Sequence, residues 1–197
     1  MRRKWVMIIS ILFLILSGSY FVYNKITKPN LGPKTTRLYK RGFRLLEEQI
    51  GTYIKDHYTG IEKIEFSPIY VTEEGSTFSN VYIRPTIYDK HGNKATLGTK
   101  VKNLIPSDIG IISYIIADFD GDENEVIELT DSNGKFIDVS NEQYLPNEVK
   151  LTRQELIDEN IELLVEDGQL KGVVKDEKGS PNAEIVYNTE FQKGGAK

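Results

Sequence analysis

The 197-residue chain has no cysteine and only two histidines, His57 and His91. Without cysteine there are no disulfides, thiolate zinc sites, iron–sulfur ligands, cysteine nucleophiles or lipid-modified amino-terminal cysteine. Two isolated histidines do not make a His-rich metal site. The chain also lacks a G-x-S-x-G elbow, a phosphate-binding glycine loop and an H-E-x-x-H helix. These absences argue against an enzyme and for a binding protein with no cofactor. Acid is missing as well, but only locally: residues 1–44 hold ten basic side chains and no Asp or Glu.

The other 153 residues carry all 29 acids against 15 bases, a net of −14, and most of that excess follows Ile115. A basic neck on an acidic body describes surfaces and partners rather than a fold. The body would repel a polyanion, which excludes nucleic acid as its partner. The neck (Lys34, Arg37, Tyr39, Lys40, Arg41, Phe43, Arg44) suits anionic lipid head groups or wall polymers, or forms the solvated face of a helix. At 39% hydrophobic residues the body can bury a core.

Trp5–Tyr23 is a 19-residue stretch without a charge. As a helix it would span roughly 28 Å at ~1.5 Å per residue, enough for a bilayer. Trp5 at one end and Tyr20 and Tyr23 at the other match interfacial aromatic anchors. A cleaved signal peptide ending at Ser17-Gly18-Ser19 is the rival, but Tyr20–Tyr23 extends the apolar run beyond it. The expected organisation is a cytoplasmic tail 1–4, a transmembrane signal-anchor 5–23, a linker 24–34, an extracytoplasmic domain 35–191 and a disordered tail 192–197. This places the protein in the cell membrane as a single-pass protein that contacts the bilayer through residues 5–23.

Tyr39, Phe43, Leu46, Ile50, Tyr53 and His57 recur at steps of three and four, which predicts an amphipathic helix over Thr36–Tyr58. Thr35 or Thr36 would cap its start and Gly60 its end, while Gly42 and Gly51 weaken it slightly. The period then changes to two. Ile64 and Phe66 alternate with charged neighbours, and Pro68 argues for an edge or a bulge. Val81, Ile83, Pro85 and Ile87 share a face, followed by Ala95, Leu97 and Val101 beyond the His91-Gly92-Asn93 turn. Ile111–Phe119, Val126–Thr130 and Lys135–Val139 read as strands, the last two joined at Asn133-Gly134. Thr152 and Glu155 fit a capping box opening a helix over Thr152–Asn160. Ile161–Glu166 and Gln169–Val174 flank Asp167-Gly168 as another hairpin, and Glu184–Phe191 reads as the last strand. The expected fold class is α+β, one antiparallel sheet domain with the long leading helix packed on one face.

Asp118-Phe119-Asp120-Gly121-Asp122-Glu123-Asn124-Glu125 is the densest cluster of charge. Alternating acids on a tight turn could hold calcium, but the EF-hand register fails: its glycine falls at Glu123 and its bidentate acid at Leu129. A solvated hairpin tip explains the same residues. So does a partner-binding surface, for which Asp118, Asp120, Asp122, Glu123, Glu125 and Glu128 are the candidates. His57 fits a core or boundary position and His91 an exposed loop.

Arg2-Arg3-Lys4 with the Trp5–Tyr23 anchor, the Thr36–Tyr58 helix and the acidic strand-rich remainder together resemble the TipC-type immunity proteins of Gram-positive bacteria. Those proteins protect producers from antibacterial toxins of the type VII secretion pathway. The resemblance lies in the layout and transfers no functional residue. It implies a non-catalytic extracytoplasmic domain that occludes the active site of a cognate secreted toxin. The readings from other classes are a calcium-dependent envelope module and an accessory subunit of a membrane complex.

Overall fold

The computed structural model describes residues 27–74, 77–102, 104 and 108–195. The expected membrane segment 5–23 lies outside them. No helix among the described residues is long and apolar enough to cross a membrane.

The chain folds as α+β around one long helix, α1 (Pro33–His57). It begins earlier than the apolar seam suggested, within the expected linker. Pro33 occupies the first turn behind Gly32, and Thr36 N–H donates to Gly32 O at 2.9 Å. Proline suits this position because its fixed φ is helical and its missing N–H has no helical acceptor there. The helix ends with Tyr58 extended, so Gly60 (φ +83°) is a turn residue beyond the end rather than its cap. A side chain at Gly60 would also place its Cβ 2.0 Å from Gly172 O.

Thirteen short strands follow in the described residues. They are β1 (Tyr58–Thr59), β2 (Ile61–Phe66), β3 (Ile69–Glu74), β4 (Thr77–Ile83), β5 (Pro85–Asp89), β6 (Lys94–Thr96) and β7 (Ile109–Gly110). After them come β8 (Ile115–Phe119), β9 (Glu125–Thr130), β10 (Phe136–Asp138), β11 (Val174–Lys175), β12 (Glu184–Val186) and β13 (Phe191–Lys193). A second helix, α2 (Glu155–Glu166), lies between β10 and β11.

The expected single antiparallel sheet is instead four sheets, ordered β12-β2-β5-β6, β13-β3-β4-β7, β10-β9-β8 and β1-β11. The first two are mixed, because β12 runs parallel to β2 and β13 parallel to β3. They meet at a corner that three chain segments cross: β2 to β3 at Ser67-Pro68, β4 to β5 at Arg84, and β12 to β13 through 187–190. Ser67 N–H donates to Arg84 O at 3.0 Å, Arg84 N–H to Ser67 Oγ at 2.9 Å, and Ile69 N–H to Glu190 O at 2.8 Å. Pro68, with no N–H to give to a ladder, sits where the ladder breaks. The apolar run Val81, Ile83, Pro85, Ile87 is therefore buried throughout but shared between two sheets. The end of the chain is not frayed from Gln192, since β13 pairs with β3 through Lys193.

α1 lies between sheets rather than on one face of one. Gly42 and Gly51 are nine residues apart, which places them on opposite sides of a helix at 100° per residue. A Cβ at Gly42 would come 2.8 Å from Ile115 Cδ1 of β8, and one at Gly51 3.0 Å from Ile185 Cγ2 of β12. The two glycines thus let a sheet approach each side of the helix. Gln49 fastens its middle, donating to Thr130 O at 2.9 Å and Val149 O at 2.5 Å.

The largest local correction concerns α2. It starts at Glu155 with Gln154 as its N-cap, so the Thr152 capping box does not form. It then runs through Ile161–Glu166, the segment expected to be a strand. Ile157, Ile161 and Leu164 repeat at helical spacing and are all buried. Gly168 (φ +76°) ends the helix instead of turning a hairpin: Gly168 N–H donates to Val165 O at 3.0 Å and Gln169 N–H to Leu164 O at 3.0 Å.

Candidate functional site

The acidic turn joins β8 to β9, as the strand pattern indicated. Asp120 makes the turn. Its Oδ1 accepts Asp122 N–H at 2.9 Å and Asn124 N–H at 2.8 Å, and its Oδ2 accepts Asn124 Nδ2 at 3.0 Å. The Asn124 side chain first, and then these backbone amides, hold the Asp120 carboxyl below its ordinary range. Among the described residues no group of three or more His, Asp or Glu side chains could hold a metal ion.

Glu123 and Glu125 turn back onto α1. Lys34 Nζ lies 2.6 Å from Glu123 Oε2, and Arg37 donates to Glu125 Oε1 through Nη2 at 2.6 Å and Nε at 2.8 Å. Arg41, one helical turn on, donates to Glu125 Oε2 and to Ser140 O. The Arg37 hydrogen bonds, followed by the charges of both arginines, hold the Glu125 carboxyl below its ordinary range. Of the six candidates, Asp118 and Asp122 remain exposed, and Glu128 is half-buried within β9 opposite Asp138.

The basic neck is therefore spent inside the molecule. Lys28 and Lys40 pair with Glu190 at 3.7 and 3.0 Å. Arg44 pairs with Glu48 at 3.3 Å and lies 3.5 Å from the Tyr187 ring centroid. Each basic residue from Lys28 to Arg44 has an acidic partner within the body.

α2 presents the opposite arrangement. Glu155, Glu159, Glu162 and Glu166 are all exposed, and at 100° per residue they fall within about 60° of one another. They form a ridge roughly 16 Å long at ~1.5 Å per residue. None of the four makes an ion pair among the described residues. Sequence reasoning missed this ridge because it ended the helix at Asn160. The i, i+4, i+7, i+11 spacing of the glutamates was a readable signal.

Apolar surface flanks the ridge. On one side a cleft of about 480 Å³ lies between α2 and β11, lined by Tyr58, Ile161, Val165, Val173 and Val174 among others. Val174 is 59% exposed. On the other side Leu156 is 48% and Ile112 82% exposed, both lining a second cleft with Phe136. Beneath the first cleft, Asp158 accepts the Tyr53 hydroxyl at 2.8 Å, the Tyr58 hydroxyl at 2.6 Å and Lys175 Nζ at 2.7 Å. Burial, then the hydrogen bond to Asp158, raises both phenols above their ordinary value, so they remain neutral donors.

Two other buried carboxylates are structural. Burial works to raise the Asp89 carboxyl, but donors from Asn93, Lys171 and His91 outweigh it and bring it to about 2. Glu47, in the middle of α1, accepts Asn188 N–H, at 3.1 and 3.2 Å from its two oxygens. Burial pushes it up to about 8, and the Asn188 amide and Arg44 offset this only in part. His57, which sits on the helix seam, has its Nδ1 2.9 Å from Tyr53 O and its ring against Tyr53, while His91 is exposed. Comparison with known proteins found no matching family model, curated protein or solved structure.

Proposed function

We propose that the protein is a membrane-anchored, extracytoplasmic and non-catalytic inhibitor that binds and neutralises a secreted antibacterial toxin by covering its active site. The observation that carries this reading is the free acid of the body. With each neck base from Lys28 to Arg44 paired inside the molecule, Asp118 and Asp122 at the hairpin tip and Glu155, Glu159, Glu162 and Glu166 of α2 still face solvent without an ion pair among the described residues. Complementary charge of that kind speeds encounter with a basic protein and selects against wrong partners. The layout shared with TipC-type immunity proteins supports the anchored, toxin-directed form of the reading. The calcium-dependent envelope module has less support, because the Asp120 carboxylate already serves its own turn.

The test is protection. Cells that carry the full-length protein and meet the producer's secreted toxins at the outer membrane surface should survive one of them, and the purified full-length protein should inhibit that toxin stoichiometrically. Survival unchanged by the protein against every secreted toxin of the producer would overturn the reading.

A further inference from the structure

We infer that the cleft between α2 and β11, with the glutamate ridge beside it, is a docking groove for a cationic, amphipathic segment of a partner protein. The inference rests on reading the body as a protein-binding module, but it places the binding face away from the β8–β9 hairpin.

The groove has an apolar floor and an acidic rim. Ile161 and Val173 are buried at its base, Val165 and the 59% exposed Val174 form its walls, and Glu162 and Glu166 stand on the α2 side. Lys175 does not neutralise that rim, because its ammonium is committed to Asp158 at 2.7 Å. Its volume of about 480 Å³ admits a few side chains rather than a folded domain. An exposed apolar wall beside unpaired like charges is unfavourable for the isolated molecule, since i, i+4 glutamates repel and Val174 is wetted. Both features are relieved together by one kind of occupant: a helix or strand that inserts apolar side chains into the cleft and lays Lys or Arg along the ridge. An anionic membrane or a nucleic acid would be repelled by the same rim, and a purely apolar segment would leave the glutamates unpaired.

The probe is an 18-residue helical peptide of Lys and Leu with leucines at i, i+3, i+4 spacing. Its control is an isomer of the same composition with the leucines shuffled. Each is mixed with the full-length protein in phosphatidylcholine nanodiscs, its lysines are coupled to nearby carboxylates with a carbodiimide, and the coupled sites are mapped by mass spectrometry. The expected result is coupling of the amphipathic peptide at Glu162 and Glu166 at least fivefold above Asp118 and Asp122. The shuffled isomer and the Val174→Asn variant, which removes the apolar wall without adding charge, should each lower that coupling about tenfold with the unfolding midpoint unchanged. Equal coupling of the two peptides, coupling centred on the hairpin, or indifference to Val174→Asn would overturn the groove. Toxin protection separates the two proposals. Full protection by a Val174→Asn, Glu162→Lys double variant overturns the groove and leaves the inhibitor standing. Loss of all toxin protection in the wild type with groove coupling intact does the reverse.

Discussion

The β8–β9 hairpin and α2 carry similar acid and use it in opposite ways. In the hairpin, Asp120 shapes the turn and Glu123 and Glu125 bind Lys34, Arg37 and Arg41 of α1. In α2, four glutamates point to solvent with no ion pair among the described residues, and attachment to the body comes from Ile157, Ile161 and Leu164 on the far side. Counting charge along the chain therefore does not tell which carboxylates the fold leaves unpaired. Asp118–Glu125 is denser in acid, but part of that density is consumed by the neck, whereas in the more dilute α2 only Asp158 is paired among the described residues.

This contrast can be tested by breaking each attachment in turn. Leu164 is fully buried, and Leu164→Ala should cost about 2–5 kcal/mol, the lost transfer energy plus the cavity. A smaller drop in the denaturant midpoint would mean that α2 is held by something other than its apolar side.

Glu47 supplies a buried carboxylate with neither use. Its folded pKa of about 8 lies above its ordinary value of 4.5, so the folded protein holds the proton more tightly than the unfolded chain. The associated stability is complete below about pH 4.5 and is lost as pH rises to about 8, a change on the order of 5 kcal/mol. Unfolding followed between pH 5 and 8 should show this decline, and Glu47→Gln should flatten it. An equally steep decline in the variant would assign the pH dependence to another group.

The hairpin clamp is weaker, because partly exposed ion pairs contribute little. Glu125→Ala should destabilise by about 1 kcal/mol, and the loss should shrink in high salt. A cost that is unchanged in 1 M salt would point to packing rather than charge.

The smallest effect is expected on α2. Glu162→Lys removes repulsion and adds an i, i+4 attraction to Glu166, so it should raise stability by a few tenths of a kcal/mol. The same substitution should weaken partner binding far more than Glu125→Ala does. A stability gain without a binding loss would detach the ridge from function.

Much of the local structure was legible along the chain. The seam from Tyr39 to His57 marks α1, the alternation around Ile64 and Phe66 marks β2, and Asn133-Gly134 marks the β9–β10 turn. Errors arose where a local signal has two meanings. Asp167-Gly168 suits a hairpin or a helix end, and only the burial of Ile157, Ile161 and Leu164 against the body decides for the helix. Glu184–Phe191 looks like one strand, but 187–190 carries it around the corner into another sheet.

The α+β class, the long leading helix, the hairpin at Asp118–Glu125 and the separation of basic neck from acidic body can all be read along the chain. These depend on periodicity, turn chemistry and composition, which act over a few residues or over the chain as a whole. Tertiary structure alone decided that α1 passes between sheets at Gly42 and Gly51, that β12 and β13 pair in parallel, and which carboxylates are left over for a partner. Each of those depends on residues far apart in sequence meeting in space: Arg37 reaches Glu125, Tyr53 and Tyr58 reach Asp158, and Glu47 reaches Asn188.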